Sequence, residues 1–138
     1  MCVLRAFGTT FDVDRFVKDT SLPIESIRHK GKPMWPGTKV KRKWSQTGLT
    51  VSVSRASWSN LKGQVADAER FLIEHNREIA RLSRSKGLEH LVLDFPIYLR
   101  IGTKLRGSTV AAQSDRFPGS LVRVAGRLGV GLELTVYG

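Results

Sequence analysis

From Leu61 to Leu82 the chain reads LKGQVADAERFLIEHNREIARL, the longest run here with one unambiguous period. Leu61, Val65, Ala68, Leu72, His75, Ile79 and Leu82 recur at alternating steps of four and three, which is one face of an α-helix. Phe71 and Ile73 widen that stripe, and Asp67, Glu69, Arg70, Glu74, Arg77, Glu78 and Arg81 take the remaining surface. Arg77 and Arg81 follow Glu74 and Glu78 by three residues, so charge pairing along the exposed side is favourable. Such a helix has to lie against another layer, and His75 on its seam reads as a core or boundary histidine. The helix is expected to stop near Gly87, a natural C′ residue.

The remaining patterns have a period of two. Val3 to Gly8 reads as a first strand, followed by Asp12 as the N-cap of a short helix, Val13 to Lys18, that turns Phe16 and Val17 inward. Glu25 to Lys30 reads as a second strand with Ile27 buried. Lys39 to Trp44 alternates basic residues with Val40, Arg42 and Trp44, as an edge strand would, and Gln46, Thr47 and Gly48 make a turn. Leu49 to Arg55 is the cleanest strand, with Leu49, Val51 and Val53 on one side and Thr50, Ser52 and Ser54 on the other. Leu91 to Ile101 carries apolar residues at every odd position, and its Pro96 calls for an edge position or a bulge. After a loop from Gly102 to Gln113, Pro118 opens a helix with Leu121, Val122, Val124, Ala125 and Leu128 facing the core and Gly129 ending it. Leu132 to Tyr137 closes the chain as a strand with Leu132, Leu134 and Val136 inward.

This order implies one α+β domain, residues 1–138, built on a predominantly antiparallel sheet with helices on one face. A ferredoxin-like two-layer sandwich with an added helix and strand is the specific expectation. The opposite face would show Thr50, Ser52, Ser54, Asp94, Tyr98, Arg100, Glu133, Thr135 and Tyr137, a polarity that antiparallel sheets tolerate without a function.

VSVSRASWSNL, the Phe71, Leu72 and Asn76 spacing, the LDF at Leu93 to Phe95, the KG at Lys30 and Gly31, and LVRVAGRLGVGLELTVY with its aromatic just before the C-terminus give a family likeness over most of the chain. The chain resembles the small bacterial proteins of domain of unknown function 4279. The resemblance implies packing motifs and no catalytic residues, and the basic, Pro- and Trp-rich passage from Lys32 to Lys43 departs from the general pattern.

Chemistry is excluded more readily than assigned. His29, His75 and His90 are scattered, with no two at i, i+3 or i+4, and one cysteine cannot build a Cys-cluster site, so no metal is expected. Cys2 beside an apolar strand reads as a buried thiol. Ser52, Ser54, Ser57 and Ser59 lie in no nucleophile elbow. Gly126, Gly129 and Gly131 do not match a dinucleotide fingerprint and are explained by helix capping, so no cofactor is expected. Asp94 either pairs with Arg100 or another base on the sheet face, or serves a small hydrolase or transferase together with Tyr98 or Arg100.

Charge points elsewhere. The net charge is +11, yet Ser26 to Ala66 holds nine Lys and Arg residues and no acid, so nearly all the excess is local. No apolar run is long enough for a bilayer and the N-terminus reads as mature structure, so a cytoplasmic protein without a membrane partner is expected. Within the segment, Arg28, Lys30, Lys32, Lys39, Lys41, Arg42 and Lys43 stand beside Trp35 and Trp44. These residues are the expected binding surface of a non-enzymatic interaction protein, with an acidic protein or a nucleic acid as its partner.

Overall fold

The computed structural model describes residues 1–138. The helical seam is there, but bent. α2 runs Leu61–Glu74 and α3 runs Asn76–Ser83, separated by His75 at φ −107° and ψ 22°. Asn76 Nδ2 donates to the Ile73 carbonyl at 2.6 Å, a local side-chain bond that competes with the helical ladder where the helix breaks. Leu72, Ile79 and Leu82 are fully buried, whereas Ile73, expected to widen the stripe, is 56% exposed. His75 is half-buried, its ring 4.4 Å from that of Phe71. α3 ends four residues before Gly87.

The sheet carries five strands in the order β2-β3-β1-β4-β7: Ile24–Arg28, Thr47–Ser54, Cys2–Gly8, His90–Tyr98 and Gly131–Tyr137. Three of the four pairings are antiparallel, and β4 with β7 is parallel. The α+β class and the mostly antiparallel sheet therefore hold. Two split βαβ units make up the first four strands: β1–α1–β2, with α1 at Val13–Val17, straddles β3, and β3–α2–α3–β4 straddles β1; α4 (Gly119–Arg127) then carries the chain to β7, an added strand directly beside β4. Cys2, Leu4 and Ala6 from β1, Leu91, Leu93 and Phe95 from β4, and Leu49 and Val51 from β3 form the core with Leu72, Ile79, Leu82, Leu121 and Ala125.

Several boundaries and facings move for identifiable reasons. Cys2 pairs with Ser54 but Val3 with Ser52, so Val53 is the extra residue of a β-bulge. That bulge turns Ser54 to the helix layer, where its hydroxyl donates to Asp67 at 2.6 Å instead of facing solvent. Ile27 (42% exposed) and Val136 (48%) lie on the helix side but at the two sheet edges, where no neighbour covers them. Thr47 and Gly48 belong to β3 rather than to a turn, because Gly48 lets Phe7 lie close against the backbone; a Cβ there would meet the Phe7 Cβ at 2.7 Å. β4 stops at Tyr98, so Leu99 and Ile101 are exposed, and the following loop contains a small hairpin, β5 (Lys104–Leu105) with β6 (Ser108–Thr109). Pro118 is the N-cap of α4, Gly129 follows it at φ +70°, and Val122 is exposed.

Pro96 sits where its missing N–H does no harm. Pairing of β4 with β1 ends at Asp94, so Pro96 has a strand neighbour only in β7. Gln64 of α2, fully buried, donates to the Pro96 carbonyl at 2.9 Å.

The short helix α1 (Val13–Val17) is capped by Asp12, whose carboxylate accepts from the Arg15 N–H. The loop after it is tied to α3: Thr20 Oγ1 donates to Glu78 at 2.6 Å, and Arg81 bridges Glu78 at 3.2 Å and Asp19 at 2.6 Å. The Thr20 hydroxyl, followed by Arg81, holds the Glu78 carboxyl below its ordinary value. A depressed folded-state pKa contributes stability above the unfolded value and loses it as pH falls through the folded one. Stability should therefore decline below about pH 4.3, and Glu78→Gln should flatten part of that decline in urea titrations. An unchanged acid limb in that variant would remove Glu78 from the account.

Candidate interaction surface

The basic segment is a long loop between β2 and β3 that folds back on itself as a narrow ribbon, with one isolated β-bridge between Pro33 and Lys43. Two glycine turns shape it. His29-Lys30-Gly31-Lys32 closes with Lys32 N donating to His29 O at 3.1 Å, and Trp35-Pro36-Gly37-Thr38 closes with Thr38 N donating to Trp35 O at 3.4 Å. Gly31 and Gly37 take φ of +81° and +77°, the left-handed third position of a type II turn, with Pro36 in the place that prefers proline. Between the turns the two sides are laced by Gly31 N to Trp44 O, Trp44 N to Lys32 O and Met34 N to Arg42 O, at 2.8 to 3.0 Å. The expected edge strand from Lys39 to Trp44 is only partly realised: Lys43 bridges Pro33, and Lys39 to Lys41 belong to the tip.

A stack anchors the ribbon to the sheet. The Arg28 guanidinium lies 5.0 Å from the Phe7 ring centre and 4.8 Å from that of Trp44, and Phe7 stacks on His90 at 4.8 Å. Burial, and then the charge of Arg5, push the Arg28 pKa below its ordinary value. His29 Nε2 also meets both oxygens of Asp14, at 2.9 and 3.0 Å. Arg28 and Trp44, read from sequence as contact residues, are thus the ribbon's fastening. Phe7, His90 and Asp14 were not legible as parts of it, since nothing in their own patterns marks a cross-strand stack.

Lys30, Lys32, Lys39, Lys41, Arg42 and Lys43 are all exposed, and Trp35 is 50% exposed at the tip. None of these six cations has a carboxylate within salt-bridge distance, and no acid interrupts their run in the sequence. Arg55 and Lys62 follow the far end of β3, roughly seven residues or about 24 Å from the ribbon's root, and do not join it. A shallow cavity of about 300 Å³ lies at the root, lined by Ile27, Arg28, Pro33, Met34, Trp44 and Leu49 among others. A larger one, about 760 Å³, sits between α1 and the end of α3 with a charged lining that includes Arg15, Asp19, Arg81 and Lys86.

Asp94 is held by the sheet face. Arg5 approaches it at 3.2 Å, Thr135 donates to it at 2.5 Å, and Arg5 also meets Glu133 at 2.8 Å. Arg100 pairs with Asp115 at 2.8 Å instead, and Tyr98 stands four residues along β4, about 13 Å away. The Cys2 thiol is fully buried and its pKa is driven up, first by burial and then by Asp94. No three His, Cys, Asp or Glu side chains converge as metal ligands, and no helix is long and apolar enough to cross a membrane. Comparison with known proteins found no matching family, no matching curated protein and no matching solved structure.

Proposed function

We propose that the chain is a non-enzymatic binding protein that presents its basic ribbon, Lys30 to Trp44, to an acidic protein partner. The supporting observation is the unpaired state of the six ribbon cations on a backbone held in shape by its own ladder and by the Arg28 stack. Like charges crowded within a Debye length of roughly 8 Å repel one another, and an anionic surface relieves that cost. The resemblance to domain of unknown function 4279 assigns no role to any of these residues, so the reading rests on the ribbon.

A protein is favoured over a nucleic acid by the root cavity. Pro33, Met34 and Ile27 offer an apolar seat beside Arg28 at the root of the charged ribbon, a place for an apolar anchor side chain of a partner whose acidic groups meet the ribbon. The aromatic face of Trp44 is meanwhile occupied by Arg28, which leaves Trp35 as the ribbon's free stacking surface. The test is fluorescence anisotropy with three probes: an acidic peptide containing leucine, an equally charged peptide without it, and single-stranded DNA. The leucine peptide should bind tightest, more weakly as salt rises, and the variant with Lys39, Lys41, Arg42 and Lys43 all replaced by Gln should lose it. Preferential binding of DNA would install the nucleic-acid reading in its place. Equal binding by the Gln variant at every salt concentration would move the site off the ribbon.

A further inference from the structure

The two edges of the sheet are not alike. β2 is short, carries a register shift between Ile24 and Ser26, follows Pro23, bears Glu25 and Arg28, and leads into the ribbon. These are the devices that keep an edge from pairing. β7 has none of them. All seven of its residues pair in unbroken register with β4, it contains no Lys, Arg or Pro, and its one charge, Glu133, is tied to Arg5. Leu99 N donates to Tyr137 O, so odd residues of β7 turn their backbone groups toward β4. The N–H and C=O groups of Leu132, Leu134 and Val136 therefore point outward from the free edge.

The helix above this edge makes the same point independently. Ser120 of α4 donates to Glu69 of α2, while Leu121 and Ala125 are buried toward the sheet. At about 100° per residue, Val122 and, beside it, Gly126 then lie on the flank turned away from α2, toward the outer side of β7. Val122 is 50% exposed, and a Cβ on Gly126 would meet nothing within the chain. Glycine inside a helix costs roughly 1 kcal/mol relative to alanine, and only Gly129, not Gly126, is explained by capping. Val122 and Val136 both carry the periodicity of core residues, and both surface at this one edge.

We propose that the β7 edge and the adjoining flank of α4 form a homodimer interface. Two copies pair β7 antiparallel about a twofold axis through Leu134, which makes one ten-stranded sheet from two of five. Centring on Leu134 sets Leu132 against Val136 of the second copy and Glu133 against its Thr135, whereas centring on Glu133 would oppose two carboxylates. A second copy is the occupant the charges permit. Each chain carries +11, but the basic ribbon leaves from β2, four strand spacings or about 19 Å from β7, so pairing at β7 keeps the two ribbons at opposite ends. The protected β2 edge also prevents β7 from joining β2 of another copy, so the assembly closes at two.

Light scattering across a concentration series should give twice the 15.4 kDa mass of one chain. Val136→Pro deletes an outward N–H at an exposed position and should leave a monomer with an unchanged far-ultraviolet circular dichroism spectrum. If that variant fails to fold, Val122→Lys and Gly126→Lys probe the same interface from exposed helix positions and should each give a monomer. A wild-type monomer at every concentration would overturn the proposal. So would a dimer that survives Val122→Lys and Gly126→Lys, or one abolished by the ribbon substitutions instead.

Discussion

Replacing Leu72 by Ala should lower the stability of the folded chain by about 2–5 kcal/mol, one of the two largest losses expected from a single substitution here. Leu72 is fully buried in α2, within the cluster that includes Leu4, Leu93 and Phe95 from the sheet. Truncation removes the transfer free energy of three carbons and leaves a cavity that two packed layers cannot close. The adjacent residue supplies the contrast. Ile73 is 56% exposed, so Ile73→Ala should stay within about 0.5 kcal/mol of the parent. Urea unfolding should show a lower midpoint at unchanged slope for Leu72→Ala. Equal midpoints for the two variants would mean that the helix presents a different face.

Gly87→Ala should be of comparable severity for a different reason. Gly87 has φ +81°, and a Cβ there would collide with the Thr10 backbone carbonyl and its Oγ1. Left-handed backbone costs an alanine roughly 1–2 kcal/mol, and forcing packed backbone apart costs about 1–3 more. The place matters because Gly8 presses on Gly87 from β1 in the same way, so the end of the helical layer and the end of the first strand meet through two residues without side chains. Gly102 separates the two contributions. It has φ +84° with open space around it, so Gly102→Ala should show the conformational cost alone. If Gly87→Ala unfolds no more easily than Gly102→Ala, the close approach is absent in solution.

What could be read from sequence was whatever depends on local periodicity. The seam of α2 and α3, the alternation in β1, β3 and β4, and the Asp12 cap all follow from residues a few positions apart. Features set by distant partners could not be read. The bulge at Val53 arises from how β3 meets β1, and the base that pairs with Asp94 is Arg5 on a neighbouring strand and not Arg100. The ribbon shows both cases. Its charge and its glycine turns were visible in the residues, but its fastening through Phe7 and His90 depends on two strands that are not its neighbours in sequence.

Pro96 has a bearing on how the sheet is assembled. β1 and β4 are joined by no hairpin; they find each other across most of the chain length, and such distant pairings form slowly because loop closure has to precede any gain. A slip of one residue between them would expose the core face and be rejected at once. A slip of two would keep every apolar side chain on its proper side, so burial alone discriminates poorly against it. The slip that carries β1 further along β4 would lay Val3 opposite Pro96, where the missing N–H forfeits a ladder bond and the carbonyl now held by Gln64 would face competition. The proline is in this sense an end stop: it rejects the near-miss alignment that hydrophobic patterning would accept.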